Sequence, residues 1–285
     1  MSWLFYAVIC ALAYGTEGVY VKGILRKEIN EYLIVWGMFL FALPWVFILA
    51  FLKGFPPLNA TFWFACLGAV AGNAFGFTFY VKAIKYTDVS LAVPLLSLSP
   101  VLLLFTSFIM LEEVPSLPGI LGVVLVTIGC YLLPGTEERG FLSPFRMIGS
   151  DKGCRYAIVT VLVWSMVANI DKIALLHSSP YVYPFITTVL FSLIFLPAVW
   201  PWRRDMRNVS VQKKLAGIGF IHAVLLISHM LALQLTLVPY LIAVKRSGML
   251  LSVLLGWILL KERKGGGRIL PSAIILCGLG LIILF

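Results

Sequence analysis

Two adjacent cations lie inside an apolar stretch of the chain. The stretch runs from Val238 to Arg263 and reads VPYLIAVKRSGMLLSVLLGWILLKER, with Lys245 and Arg246 shortly after Pro239. As a helix it is long enough to cross a bilayer, and the two cations would lie about 10 Å along it. A charge at that depth usually faces a bundle interior or a wet cavity. Because a guanidinium group binds carboxylate or phosphate in a bidentate manner, the pair indicates anion binding.

The alternative is that both long side chains snorkel to the near interface. Adjacent residues of a helix point roughly 100° apart, so the two side chains would have to reach the interface along different faces of the helix. We therefore favour a polar cavity. A purely structural role of the pair would call for a carboxylate partner nearby in the membrane. The candidates are Glu17, in the first apolar segment, and Asp171. If Glu17 neutralises one cation, the other is left for an anionic ligand.

Three titratable residues at membrane depth are candidates for carrying a proton. Glu17 lies deep in the first apolar segment, and His222 and His229 lie seven residues apart in the eighth, on one helix face. Intramembrane carboxylates and histidines form proton relays. The alternatives are that Glu17 pairs with a lysine or hydrogen-bonds within the bundle, and that the histidines are neutral and hydrogen-bonded.

The fourth apolar segment contains Pro94 and Pro100, with Ser97 and Ser99 between them. Proline removes a backbone donor and leaves carbonyl groups that neighbouring helices or water must satisfy. A packing kink is one explanation. Because the partner segment in the other half of the chain carries the two cations, we predict instead a hinge that lines the site. The expected hinge residues are Pro94, Pro100 and Gly248.

The composition requires a lipid environment around these residues. Of the 285 residues, 61% are hydrophobic and 12% are charged, whereas soluble domains are about 45–50% apolar and about 25% charged. The net charge of +10 would suggest nucleic acid for a soluble protein. In a membrane protein, Lys and Arg in the loops set the orientation, so we expect no nucleic-acid partner.

No motif for catalysis, metal binding or a cofactor is visible. The five cysteines, which are Cys10, Cys66, Cys130, Cys154 and Cys277, lack metal-ligand spacing, and we expect small core residues without disulfide bonds. There is no nucleophile elbow, phosphate-binding glycine loop or HExxH motif. We therefore expect no metal, no cofactor and no enzymatic activity.

Ten apolar segments position the candidate residues. Each is close to the roughly 20 residues that a membrane span needs, and the predicted helices cover 2–22, 31–52, 60–82, 89–111, 116–134, 154–176, 181–202, 214–236, 238–260 and 268–285. The first is read as a span and not as a signal peptide, because it has no basic n-region and no small-residue cleavage site. We therefore predict an all-α membrane protein with halves at 1–134 and 154–285, joined by a linker at 135–153.

The two halves resemble each other. Lys22 recurs as Lys172 at an offset of 150, and Glu113 recurs as Glu262 at an offset of 149. Because five helices per repeat is an odd number, the second repeat must be inverted, and inverted repeats place a substrate site near the midplane. The offset of 149 also matches His222 and His229 of the eighth segment with Asn73 and Tyr80 of the third, which are polar as well. The predicted binding residues are Lys245, Arg246, Ser97, Ser99, Asn73, Tyr80, His222, Trp164 and Tyr14.

The distribution of basic residues predicts the orientation. Most of the 22 Lys and Arg residues lie in the odd-numbered connections, whereas the even-numbered ones hold Lys53 and Lys172. Basic residues favour the cytoplasmic side. We therefore predict cytoplasmic odd-numbered connections, including the linker, and termini on the outer side.

At this level the chain resembles the ten-helix, EamA-type branch of the drug/metabolite transporter superfamily. The motifs that carry the likeness are AYGTEGVYVK at 13–22, VWSMVANIDK at 163–172, PLLSLSP at 94–100, LEEVPSLPGILGVVLVTIG at 111–129 and LKERKGGGRILPSAIILCG at 260–278. The last departs from the family pattern because Pro271 replaces its first glycine. The resemblance covers essentially the whole chain.

This resemblance implies two five-helix repeats around a cavity lined by the third, fourth, eighth and ninth helices, and the export or exchange of small metabolites, often amino acids. Small multidrug exporters of the superfamily carry a glutamate where this chain has Tyr14, and Glu17 lies about one turn later. This difference argues against a cationic-drug antiporter.

We therefore expect a secondary transporter for a small, carboxylate-bearing metabolite that works by alternating access in a plasma or inner membrane. The expected partners are this substrate and membrane lipids, and a homodimer is left open. The alternatives are a flippase for a lipid-linked anionic headgroup and a membrane scaffold that transports nothing.

Overall fold

A computed structural model of the chain describes residues 2–25, 29–87, 89–134, 142–260 and 269–284. Glu262, which the sequence matches with Glu113, lies outside the described residues, as does the first part of the predicted linker, 135–141.

The described residues form α-helices and two single turns of 3-10 helix. The α-helices are α1 (Ser2–Leu25), α2 (Glu31–Lys53), α3 (Ala60–Tyr86), α4 (Val89–Leu96), α5 (Ser99–Leu111), α6 (Leu117–Leu132), α7 (Ser143–Met147), α8 (Lys152–Leu176), α9 (Val182–Val199), α10 (Val209–Leu233), α11 (Val238–Leu260) and α12 (Ile269–Leu284). The 3-10 turns are Trp200–Trp202 and Asp205–Arg207.

The predicted fold class is confirmed. Within the described residues, eight stretches are long and apolar enough to cross a membrane, counting α4 and α5 together, and the helices α6 and α12 are shorter apolar helices. These ten segments match the ten predicted spans within a few residues. Helices are required here because hydrocarbon offers backbone groups no alternative hydrogen-bond partners.

Several helices begin at polar residues that accept hydrogen bonds from the first turn. Asn30, Ser116 and Asn208 cap α2, α6 and α10. Before α8, the Asp151 carboxylate accepts the backbone N–H of Cys154 at 2.7 Å. Each of these side chains satisfies an N–H group that has no partner within the helix.

Asp151 lies outside the spans, and its environment favours the charged form. Burial raises the pKa of Asp151, but hydrogen bonds from the backbone of Cys154, from the hydroxyl of Thr87 and from the backbone of Gly153 outweigh that effect. The pKa of this carboxyl is therefore lowered from its ordinary value, as expected for a cap that accepts several donors.

The fourth span is broken, as its prolines predict. It forms α4 and α5, and Ser97 and Leu98 lie between them. The Ser97 hydroxyl donates to the Pro94 carbonyl at 2.6 Å. Pro100 lies in the first turn of α5, where a missing N–H leaves no intrahelical bond unmade.

The described helices form two compact units, and each contains helices from both halves of the sequence. Unit 1 comprises Met1–Cys66, Ile173–Leu235 and Gly248–Glu262. Unit 2 comprises Leu67–Lys172, Thr236–Ser247 and Arg263–Phe285. Three of the boundaries between the units fall within the residue ranges of α3, α8 and α11.

Unit 1 is built on α1, α2, α9 and α10. Leu33 and Ile34 of α2 pack with Leu215 and Ile218 of α10 in a buried cluster. The helices α2 and α10 approach each other closely at Gly219, where an added Cβ would lie 2.4 Å from the Cβ of Phe41. Here α2 and α10 come close because Gly219 has no side chain.

A second close approach in unit 1 joins α1 to the C-terminal part of α11. A Cβ on Gly248 would lie 2.1 Å from the Ala11 carbonyl oxygen, and a Cβ on Gly15 would lie 2.4 Å from the Gly248 carbonyl oxygen. The Ser252 hydroxyl donates to the Gly15 carbonyl at 2.8 Å. Gly248 thus allows close packing within a continuous helix, and its role as a hinge stays a prediction.

Unit 2 contains two further glycine contacts. In α6 and α12, a Cβ on Gly278 would lie 2.7 Å from the Gly122 carbonyl oxygen. In α3, Gly68, Gly72 and Gly76 lie against side chains of α8, namely Ile170, Val167 and Trp164. Small residues at such spacing let helices approach closely in a membrane.

Candidate functional site

The predicted functional residues fall into two groups. Unit 2 contains seven of the predicted binding residues, which are Lys245, Arg246, Ser97, Ser99, Asn73, Tyr80 and Trp164. Unit 1 contains Tyr14 and the three candidates for proton coupling, which are Glu17, His222 and His229. The two groups are described separately.

Arg246 is held at the break between α4 and α5. Its Nε donates to the Ser99 hydroxyl at 3.2 Å, and its carbonyl oxygen accepts the Cys130 thiol at 3.7 Å. Ser97 and Ser99 are almost fully buried, whereas Lys245 and Arg246 are half-buried. We call Arg246, Ser97 and Ser99 the Arg246 site.

The start of α5 adds to the positive potential of the Arg246 site. Leu98 precedes this helix and supplies no side-chain cap, and Ser99 is its first residue. A helix N-terminus carries a partial positive charge that favours anions. The guanidinium group and this helix end therefore favour the same kind of ligand.

Two aromatic residues of the predicted set meet in unit 2. The rings of Tyr80 and Trp164 lie 5.5 Å apart, and Phe77 lies edge-on to Trp164 at 5.4 Å. The Trp164 Nε1 is buried against Gly76 and has no hydrogen-bond partner among the described residues. Asn73 is half-buried on α3, seven residues before Tyr80.

In unit 1 the structure pairs two of the proton-coupling candidates with each other. Glu17 Oε2 lies 2.8 Å from His222 Nδ1, and the side chains are only 14% and 8% exposed, respectively. The sequence suggested that Glu17 neutralises a cation of the ninth helix. The structure gives it a histidine of α10 as a partner, in line with the alternative that Glu17 forms a hydrogen bond within the bundle, and we call these residues the Glu17–His222 pair.

The surroundings of this pair are mainly apolar. The His222 ring lies edge-on to Phe39, with centroids 4.7 Å apart. Its Nε2 is buried and has no hydrogen-bond partner among the described residues. A buried polar nitrogen without a partner is costly, so this atom is a candidate contact for water or a ligand.

The third candidate, His229, lies beside a cysteine. His229 Nδ1 is 3.8 Å from Cys10 Sγ, and Tyr14 packs on the cluster that contains Cys10 and Leu225. Within the described ranges, no group of three His, Cys, Asp or Glu side chains is placed to hold a metal ion.

A buried charge network in unit 2 was not assigned a role from the sequence. Glu113 forms an ion pair with Lys172 and accepts the backbone N–H of Val238 at 2.8 Å. Lys172 also donates to the Thr236 carbonyl at 2.7 Å. The available signal was the recurrence of Lys and Glu at the ends of repeated segments.

A neutral network lies nearby in the sequence and was also missed. Asn169 is fully buried, accepts the Ser107 hydroxyl at 2.6 Å and donates to the Thr106 hydroxyl at 2.9 Å. It donates as well to the Ser165 carbonyl at 3.0 Å. These bonds join α5 to α8 inside an otherwise apolar region.

In the part of the chain that the structure describes, ten apolar segments with charged and polar groups buried among them define a polytopic membrane protein. The chain belongs to the EamA-like transporter family, because the model of that family matches residues 1–134 and again 151–284. The two matches correspond to the two five-helix repeats. The protein is therefore an integral, multi-pass membrane transporter of small molecules, in a family whose members are transporters and not enzymes.

A solved structure supports the fold. It is described as the crystal structure of a protein, and it is 16% identical to this chain, with a TM-score of 0.77. The alignment covers 99% of this chain and 96% of the other. No curated protein sequence matches the chain.

Proposed function

We propose that the chain is a secondary transporter that exports or exchanges a small, carboxylate-bearing metabolite such as an amino acid by alternating access. The observation that carries the proposal is the Arg246 site, where a guanidinium group inside a membrane span meets the broken end of a helix. A charge in such a place usually serves a substrate pathway. Arg suits a carboxylate because its planar group offers two parallel N–H donors.

The remaining binding residues of unit 2 suit the rest of such a substrate. Trp164 and Tyr80 offer aromatic faces, and the buried Trp164 Nε1 offers a hydrogen-bond donor. Pockets for small molecules combine apolar walls with a few polar groups that fix orientation. In this proposal, Arg246 holds the carboxylate, and the aromatic pair contacts the uncharged part of the metabolite.

The Glu17–His222 pair supports a coupled proton. A histidine beside a carboxylate can exist with or without an additional shared proton, so the pair can gain or lose one positive charge. Deep in a membrane such a change is costly unless it is compensated. Proton binding at this pair would therefore bias the conformational equilibrium of α1 and α10, which carry these residues.

The chain also offers a mechanical route for coupling. Gly248 packs against α1 close to Gly15, which lies two residues before Glu17, and Arg246 lies two residues before Gly248 on α11. A shift of α11 along α1 would change the packing around Gly15 and with it the surroundings of the Glu17–His222 pair. Such sliding of packed helices is a known form of conformational change.

The test begins with purified protein in proteoliposomes and a panel of amino acids and other small carboxylic acids. For the transported compound, binding to Arg246→Ala should be weaker by roughly 10- to 150-fold, because one charge-assisted contact contributes about 1.5–3 kcal/mol. Arg246→Lys should recover part of the affinity. Lys245→Ala shows whether the neighbouring cation also contributes to substrate affinity. Lys53→Ala is the control for the loss of an exposed positive charge.

Two results would overturn the proposal. One is wild-type affinity in folded Arg246→Ala protein, which would make the arginine a brace within the bundle. The other is transport of compounds that have no carboxylate, if carboxylic acids are neither transported nor inhibit that transport. Movement of an intact lipid-linked anion in the same vesicles would favour a flippase instead.

A further inference from the structure

A groove lies on unit 1, and Thr16, which precedes Glu17 in the sequence, is among the residues that line it. It has a volume of about 290 Å³ and is formed by α1, α10 and the C-terminal part of α11. Val19, Tyr20 and Ile24 line it from α1, Leu255 and Leu259 from α11, and Lys214 from α10. Its walls are almost entirely apolar, and Lys214 is the one charged residue among the described residues that line it.

The groove lies where three helices meet the same membrane surface. The helix α1 ends at Leu25, α10 begins at Val209 and α11 ends at Leu260. Apart from Thr16, the residues that line the groove lie within about two helical turns of these ends. Lys214 follows the start of α10 by five residues. A lysine at this depth is at the level of lipid headgroups and their ester groups.

The groove opens toward hydrocarbon. Leu259 is 65% exposed, and its neighbours on α11, Leu254 and Ile258, are 48% and 55% exposed. Exposed apolar side chains on a membrane-spanning helix face acyl chains. The natural occupant of an apolar groove on this face is therefore part of a lipid.

Glycine residues keep the groove open. A Cβ on Gly217 would lie 2.4 Å from the Tyr20 hydroxyl oxygen, so the tyrosine side chain can lie close to α10 only because Gly217 has no side chain. Gly23 also lines the groove and fills none of its space. Gly217 thus lets Tyr20 form part of the wall close to α10, and Gly23 adds no side chain to the wall formed by α1.

We propose that this groove binds a phospholipid with an anionic headgroup, one acyl chain lying between α1 and α11 and the phosphate held by Lys214. The compact ammonium group of lysine binds phosphate as a point charge. The basic residues of the odd-numbered connections place the groove in the cytoplasmic leaflet, whose anionic lipids attract such residues. The proposal does not depend on which metabolite the protein transports.

The test compares phosphatidylglycerol with phosphatidylcholine of the same acyl chains, added to the purified protein in detergent. Binding is counted by native mass spectrometry, and the midpoint of thermal unfolding is measured in parallel. Wild-type protein should prefer phosphatidylglycerol, and Lys214→Gln should lose about fivefold of that preference, as expected for one interfacial lysine. Lys214→Arg should keep it. Lys213→Gln is the matched control, because Lys213 is exposed and does not line the groove.

A second variant tests the acyl-chain part of the site. Leu259→Trp places a larger side chain in the groove and so leaves less room for an acyl chain. Leu259 is exposed enough to tolerate the change. The variant should therefore bind both lipids more weakly. Equal lipid preference in Lys214→Gln and wild-type protein would overturn the proposal. So would an equal loss in Lys213→Gln, which would show diffuse surface charge, or unchanged binding in Leu259→Trp.

Discussion

The carboxylate of Glu113 binds two groups at once, because it forms an ion pair with Lys172 and accepts the backbone N–H of Val238. These contacts connect the end of α5, the end of α8 and the start of α11. Both side chains are largely buried, at 7% and 13% exposure. The pair therefore holds three helix ends together where water cannot replace the lost bonds.

Removing one member of this pair should destabilise the protein strongly. Glu113→Gln leaves the Lys172 ammonium group buried without its counter-charge, and breaking one side of a buried ion pair costs about 3–5 kcal/mol. The midpoint of thermal unfolding in detergent should fall clearly. The double variant Glu113→Gln, Lys172→Met should recover part of the loss. Wild-type stability in Glu113→Gln and in Lys172→Met alone would mean that the pair does not hold the helix ends.

Neutralising the Glu17–His222 pair should flatten the pH dependence of transport. Glu17→Gln and His222→Gln keep hydrogen-bonding groups at the site but remove a group that exchanges a proton. Transport into proteoliposomes is measured across a pH series, with and without a proton gradient. His177→Gln is the control, because His177 is an exposed histidine bonded to Asn59. An unchanged pH dependence in these two variants and in His229→Gln would leave facilitated exchange as the simpler mechanism.

The cytoplasmic position of the linker can be tested by cysteine labelling in intact cells. Cys277 is the exposed one of the five cysteines, so Cys277→Ser provides a background with buried thiols. An impermeant maleimide should react with Lys53→Cys, at an even-numbered connection, and should not react with Ser150→Cys in the linker. Labelling of Ser150→Cys before the cells are opened would reverse the predicted orientation.

The contact between α6 and α12 should not tolerate a single added methyl group. At Gly278 that carbon would lie 2.7 Å from the Gly122 carbonyl oxygen, whereas at Gly280 nothing lies within 4 Å. Overpacking of this kind costs about 1–3 kcal/mol. Gly278→Ala should thus lower the unfolding midpoint, and Gly280→Ala should leave it unchanged. Equal effects of the two substitutions would show that the helices shift apart without cost.

The spans and the break in the fourth one could be predicted because they depend on local sequence. Apolar length requires a helix in hydrocarbon, and Pro94 and Pro100 prevent one regular helix across that segment. The glycine spacing of α3, at 68, 72 and 76, was visible as well, and it predicts a close helix contact. Its partner α8 was not predictable, because spacing on one helix does not identify the other.

The partner of Glu17 could not be found from the sequence for a similar reason. His222 lies 205 residues away, and every helix of such a chain is apolar enough to neighbour any other. Lys245 and Arg246 drew attention because their charge is rare in the membrane, and they were therefore the first partners considered for Glu17. Rarity identifies which residues need a partner, but helix order in space decides which partner they obtain.

The position of Arg246 has a consequence for the symmetry of the protein. Its counterpart in the first repeat is Ser97, so the two repeats are no longer equivalent in charge. A symmetric assembly of two identical five-helix chains would carry any such cation twice, and burying each extra charge in a membrane is costly. Because both repeats lie in one polypeptide, one can have a neutral serine at this position while the other has an arginine. Two identical subunits could present such a cation only by burying it twice.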